Sequence, residues 1–258
     1  MEERDAKERV KIMTRRNVLF AIVTLAAAGL AGCTAAPPPV VEDPLIAGFK
    51  KSTVASVADA VDQVVGARGF MTHRMRPAVA GKIVGRARTS IVQATTPDKA
   101  TPSLAVKHSV EMIDSSKPGE VGVIVMVDGA DVAAIGGLMG TAAKAREMAG
   151  IVIDGGVRDV AELRDLGLPV YSTSITPATA VSRWASVAKD VEVECGGVKV
   201  RPGDIIVAGE DGVVVVPQEK AAEVLKKSQE IDARETKMVP SIKQHKSLTK
   251  VIELFNRI

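Results

Sequence analysis

Residues 136 to 167 read GGLMGTAAKAREMAGIVIDGGVRDVAELRDLG and hold the side chains best suited to chemistry in this 258-residue chain. Gly136-Gly137 opens a helix-like run. Free N–H groups at a helix start, with no side chain in the way, favour a carboxylate or a phosphate. A second glycine turn, Asp154-Gly155-Gly156-Val157-Arg158-Asp159, follows the next apolar run. In parallel sheets ligands gather outside the carboxyl ends of adjacent strands, so the two turns are expected to face one crevice. Arg158 offers a planar fork for a carboxylate. Asp159 offers hard oxygens for a divalent cation, Mg²⁺ or Mn²⁺, with most of its shell left as water. Together they suit a small 2-oxo acid, its carboxylate on the amides and Arg158 and its keto oxygen near a Lewis-acidic metal.

A plainer reading stands beside this one. Glu162 lies three residues after Asp159, the spacing of a capping box, so Asp159 would be an N-cap and Arg158 half of a surface ion pair. Spacing alone leaves both open. Other chemistry has less support. His73, His108 and His245 lack zinc-like spacing. No Gly-x-Ser-x-Gly elbow suggests a hydrolase, and no Gly-x-Gly-x-x-Gly suggests a dinucleotide or methyl-donor site.

The elements that must position these residues follow from periodicity. STVASVADAVDQVV (52–65) places Val54, Val57, Ala58 and Val61 on one helical face. GKIVGRARTSIVQA reads as a strand with glycine kinks and VGVIVMVDG (121–129) as a buried parallel strand. GTAAKAREMAG is a small-residue helix ending at Gly150, IVIDGG the next buried strand, DVAELRDLG a short helix and PVYSTSI another strand. VEVECGGVKVRPGDIIVAGEDGVVVVP then gives two hairpins, turning at Gly196-Gly197 and at Glu210-Asp211-Gly212. QEKAAEVLKKSQEIDARETK closes with an amphipathic helix. This order predicts one α/β domain with a mixed sheet over 45–235, leaving 236–258 as a tail or a subunit contact.

The front of the chain reads as an address. Arg15-Arg16 precedes an uncharged apolar run from Val18 to Leu30, shorter than the roughly 20 residues that cross a bilayer. It suits a signal peptide and ends in Leu30-Ala31-Gly32-Cys33, which resembles a lipoprotein lipobox with Cys33 as the acylated residue. The paired arginines resemble a twin-arginine export signal. The expectation is a signal peptide over 1–33, a Pro-rich tether over 34–44, and an exported protein held at the membrane by lipid on Cys33. An uncleaved anchor helix is the alternative. Cys195 is then a lone thiol, expected to be buried. Beyond residue 32 the chain carries 28 basic and 27 acidic side chains, and the whole chain has Trp184, Tyr171 and four Phe as its aromatics. That composition argues against nucleic acid as a partner.

STVASVADAVD, MRPAVAGKIVGRARTSIV, KPGEVGVIVMVDG, GTAAKAREMAGIVIDGGVRDVAELRDLGLPV and ECGGVKVRPGDIIVAGEDGVVVVP occur in this order. The stretch from Ser52 to Pro217 resembles the RraA-like family, which includes regulators of ribonuclease E activity and 4-hydroxy-4-methyl-2-oxoglutarate aldolases. Some members carry an older methyltransferase label. The resemblance implies a three-layer, swivelling-domain type of α/β fold, assembled as a homotrimer or hexamer with sites between subunits. It implies that Gly136, Gly137, Leu138 and Met139 supply amides for substrate, that Arg158 binds its carboxylate, and that Asp159 holds Mg²⁺ or Mn²⁺. The activity implied is class II pyruvate aldolase or oxaloacetate decarboxylase chemistry through a metal-stabilised enolate. Lys144, not needed for a Schiff base, is left to its helix's polar face. The alternatives are a protein-binding regulator of ribonuclease E type and a catalytically silent ligand-binding lipoprotein. One departure stands out. The aldolases place an acid 21 residues before this arginine, and here that residue is Gly137. Asp131 or an acid from a neighbouring subunit is the expected substitute, Gly137→Asp would restore an acid, and a positive φ is one reason for glycine at that place.

Overall fold

The structure, a computed structural model, describes residues 42–256. The expected signal peptide, Cys33 and all but the end of the tether lie outside the described residues. Two short helices come first. α1 (Pro44–Phe49) is capped by Asp43, whose Oδ1 accepts the Leu45 N–H at 2.9 Å. α2 (Val54–Val65) is capped by Thr53 and stopped by Gly66 at φ 69°, the left-handed close common at helix ends. Its buried face is Val54, Ser56, Val57, Ala60 and Val61. Ala58, expected inside, is only half-buried.

β1 (Arg76–Val79) and the long β2 (Ile83–Ala94) lead through α3 (Pro102–Ala105) and α4 (Lys107–Ser115) to β3 (Val121–Met126). β3 is buried at every position, as its unbroken apolar run requires of a strand covered on both faces. β4 (Ala133–Ile135), α5 (Gly137–Ala145), β5 (Gly150–Val157), α6 (Val160–Asp165) and β6 (Val170–Ile175) follow. β7 (Trp184–Lys189), the hairpin β8 (Val193–Cys195) and β9 (Val198–Val200), and the hairpin β10 (Ile205–Gly209) and β11 (Gly212–Val216) complete the strands. After a 3-10 turn at Gln218–Lys220 comes α7 (Ala221–His245), then α8 (Leu248–Phe255). The C-terminal helix thus runs past residue 235, and α8 packs back on it.

The main sheet has the order β1-β6-β5-β3-β2-β10-β11. β2, β3, β5 and β6 are parallel neighbours, while β1, β7, β10 and β11 join antiparallel. The mixed sheet curls into a nearly closed barrel, with Phe70 bridging to Val214 on β11. α4, α5 and α6 cover one side through Met112, Ala143 and Leu163. The β8–β9 hairpin fills the other with Val193, Cys195 and Val200. α1, α2 and α7 pack against β10 and β11 through Phe49, Val57 and Val224. Gly196 (φ 57°) and Gly197 (φ 77°) make the tight turn of that hairpin, the pair of left-handed residues a two-residue turn demands. Cys195 is buried as expected, its Sγ 3.8 Å from Met71 Sδ, and burial pushes its thiol pKa up.

Two local expectations change. The small-residue helix ends at Ala145, not Gly150; Glu147 turns at φ 55°, and Gly150 already begins β5. Asp154-Gly155-Gly156 is strand, because β5 stays paired to β3 and β6 there and turns only at Arg158.

Close backbone packing sets one testable constraint. A Cβ on Gly85 would stand 2.1 Å from the carbonyl oxygen of Gly119 and 2.9 Å from Val121 Cγ2. Backbone cannot yield as a flexible side chain can, so Gly85→Ala is expected to destabilise by about 1–3 kcal/mol. The urea midpoint checks this; an unchanged midpoint would show that the β2–β3 edge shifts freely.

Candidate active site

β4 and β5 run parallel, Ala133 opposite Gly156 and Ile135 opposite Val157, so both strands deliver their carboxyl ends to one edge. β4 passes directly into α5 through Gly136, which is extended and offers no capping side chain. The Leu138 and Met139 N–H groups in the first turn of α5 therefore have no acceptor within the helix. They are open to an anion. At the neighbouring end, the Arg158 N–H donates to the Ile135 carbonyl at 3.1 Å, tying the β5 turn to β4.

Asp159 then takes φ 55° and ψ 38°, a left-handed conformation unusual for a residue with a side chain, though Asp adopts it more readily than most. It stands at the N-cap position of α6, yet its side chain makes no capping hydrogen bond. Its Oδ2 accepts the N–H of Gly137 at 2.9 Å and lies 3.7 Å from Arg158 Nε. The capping-box reading fails here because the left-handed turn swings the carboxylate across to α5. Arg158 and Asp159 are a half-exposed pair, and both face the glycine pair.

Those glycines are spaces for other side chains. A Cβ on Gly136 would fall 2.4 Å from Asp159 Oδ2 and 2.9 Å from Arg158 Nε. A Cβ on Gly137 would fall 1.8 Å from Glu162 Oε2 and 3.7 Å from Asp159 Cβ. Glu162, in the first turn of α6, thus puts a carboxylate where a side chain at position 137 would begin. This is the residue missed from sequence. Its spacing from Asp159 suggested a capping partner, and only the turn at Asp159 aims it at α5. Gly137 sits inside α5 and is not among the positive-φ residues, so close approach explains it and unusual torsion does not. Asp131, the expected substitute, does not line the crevice. It is exposed, and its backbone carbonyl accepts from Thr176 Oγ1 at 3.1 Å.

The crevice has a volume of about 160 Å³ between the start of α5, the Arg158-Asp159 turn and residues 179–181. Asp154 and Gly155 face a different cleft of about 570 Å³, and Asp154 Oδ2 accepts the Gly196 N–H at 2.8 Å. The two glycine turns therefore meet only through Gly136, Gly137, Arg158 and Asp159. The smaller crevice is the one lined by a guanidinium, the Asp159 carboxylate and free helix amides, while Glu162 stands against the Gly137 backbone outside that lining. Lys144 does not line the crevice, and its Nζ donates to the Gly167 carbonyl just past α6 at 3.2 Å. Among the described residues no three His, Cys, Asp or Glu side chains converge as a metal cage. The donor set fits a hydrated hard cation instead: Asp159 Oδ1 has no hydrogen bond among the described residues, and Glu162 adds carboxylate oxygens nearby.

Known proteins share this chain's sequence pattern and architecture. A protein from Halalkalibacterium halodurans, provisionally named a 4-hydroxy-4-methyl-2-oxoglutarate aldolase, is 31% identical over 190 residues, covering 73% of this chain and 83% of its own. The crystal structure of an uncharacterized protein from Pseudomonas syringae superposes with TM-score 0.73 at 26% identity, covering 81% of this chain and 93% of that one. A Streptomyces coelicolor structure, described as an unusual member of the RNase ES inhibitor RraA protein family, gives TM-score 0.65 at 28% identity over 76% of this chain and 96% of its own. The family model for RraA-like proteins, Aldolase/RraA, matches residues 54–215, and with this fold around that match the chain belongs to the RraA-like family.

Proposed function

We propose that this chain is a divalent-metal-dependent lyase of small 2-oxo acids, acting in oxaloacetate decarboxylation or pyruvate-forming aldol cleavage. The observation that carries the reading is the Glu162 carboxylate, standing where the side chain of residue 137 would begin and beside Asp159. The place left without an acid by Gly137 is filled from α6. The name given to the H. halodurans relative supports the same reaction class.

Asp159, with Glu162 beside it, would hold Mg²⁺ or Mn²⁺, which when bound supplies Lewis acidity toward the 2-oxo group. The free N–H groups of Leu138 and Met139 and the Arg158 fork bind and orient the substrate carboxylate. In aldol cleavage the C3–C4 bond breaks and its electron pair passes into the 2-oxo group. Glu162 takes the proton of the C4 hydroxyl and returns it to C3, giving pyruvate and an aldehyde or ketone. In decarboxylation the same bond breaks with release of CO₂, its electron pair passes into the 2-oxo group, and C3 takes a proton drawn from water and delivered by Glu162. Asp159, between the Gly137 N–H and Arg158, holds the turn in place.

Residues 1–33 support a further proposal of export and lipid attachment at Cys33, which would separate the chain from a cytoplasmic ribonuclease. The family resemblance likewise supports a homo-oligomer, trimer or hexamer. The test of activity is pyruvate release from oxaloacetate by the full chain, with Mg²⁺ and with EDTA, against Mg²⁺ alone in buffer. The expected result is turnover above the buffer rate that EDTA abolishes and oxalate inhibits. Turnover equal to buffer, with no oxalate binding, would leave regulation by protein contact as the better reading.

A further inference from the structure

We propose that the cavity between α2, residues 68–76 and the β10–β11 turn is a second binding site, suited to an organic carboxylate with an aromatic body. It has a volume of about 380 Å³ and shares no lining residue with the crevice, so the proposal stands apart from the lyase reading. Small-molecule sites are mostly apolar, with a few polar groups that fix orientation. Val54, Met71, Met75, Val213 and Val214, all buried, supply the apolar lining here, and Arg68 and Arg76 line the same space.

Backbone carbonyls set both arginines. Arg68 Nε donates to the Phe70 carbonyl at 2.8 Å, and its guanidinium lies 4.6 Å from the centre of the Phe70 ring. Arg76 donates through Nε to the His73 carbonyl at 2.9 Å and through Nη1 to the Asp211 carbonyl at 3.5 Å. These bonds hold one edge of each guanidinium and leave further N–H groups to meet a carboxylate. Two arginines against Asp211, the one acid in the lining, give the cavity a net positive charge. Phe70 bridges to Val214, which fixes its ring beside the apolar lining. It is 43% exposed, the one exposed aromatic ring among the described residues. A ligand that covers it takes apolar surface out of water, and an aromatic ligand adds a ring-on-ring contact.

The experiment titrates the full chain with 3-phenylpropanoate and with the uncharged 3-phenylpropanamide, read by ligand-observed NMR. The acid is then titrated again with Mn²⁺ replaced by Mg²⁺-loaded protein in excess oxalate, which occupies the crevice. The acid is expected to bind with a dissociation constant of about 1 mM or tighter, as its size allows, and about tenfold more tightly than the amide. Oxalate should leave it in place. Arg68→Gln and Arg76→Gln should each weaken the acid by about fivefold. Ala55→Phe puts a ring into the cavity from an exposed position on α2; it should abolish binding and leave the urea midpoint close to that of the unaltered protein. Should Arg76→Gln fail to fold, Arg68→Gln and Ala55→Phe still decide. No binding, binding no tighter than that of the amide, displacement by oxalate, or binding unchanged in Ala55→Phe overturns the site, and none of these results bears on the lyase reading.

Discussion

Glu162→Gln is expected to lower oxaloacetate decarboxylation by about 10²–10⁴-fold, the usual contribution of a positioned acid or base, while oxalate binds to within a few-fold. The amide keeps the size of the side chain and loses its ability to carry a proton, so a change in turnover without a change in binding isolates the chemistry. The carboxylate's place at the Gly137 backbone leads to a second result. Gly137→Asp alone, which from sequence should restore an acid, would crowd two carboxylates into one space and is now expected to lower turnover. Combined with Glu162→Ala, the same substitution should recover at least tenfold over Glu162→Ala, because the helical torsion of Gly137 accepts a side chain once the space is clear. Wild-type turnover by Glu162→Gln would show that the proton is carried by some other group and would remove the central support for the mechanism.

Asp159→Ala is expected to weaken Mn²⁺ or Mg²⁺ binding at least tenfold, about 1.4 kcal/mol, read by calorimetric titration. It also strips the Gly137 N–H of its acceptor and Arg158 of its partner, so the urea midpoint should fall by an amount near one hydrogen bond, about 1 kcal/mol. Asp159→Asn separates the two effects. Its amide oxygen can still accept from Gly137, keeping the midpoint close to that of the unaltered protein, but its lost charge should weaken the metal as alanine does. Metal affinity unchanged in both variants would confine Asp159 to holding the α5 and α6 starts together.

The residues of the crevice were legible because their types announce their chemistry. A glycine pair before a helix, an arginine fork and an adjacent aspartate state what they can bind wherever they fold. The long elements were legible for a similar reason. β3 is an uninterrupted apolar run, β5 opens with one over 150–153, and α2 repeats its valines at helical spacing. Three short strands escaped. β1 has four residues and β4 three, too few to show a period, and β7 has no buried residue after Trp184 and no alternation to mark it.

What tertiary structure alone decided is the position of each carboxylate. Three residues apart on one short helix, Asp159 and Glu162 spelled a capping box. The left-handed turn at Asp159 and the parallel pairing of β4 with β5 bring the starts of α5 and α6 together. Asp159 then bonds across to Gly137, and Glu162 fills the space that glycine leaves. Local spacing reports only what a side chain could do within its own turn. Where each of the two acids points depends on the contacts of residue 137 with residues 159 and 162, which strand pairing creates.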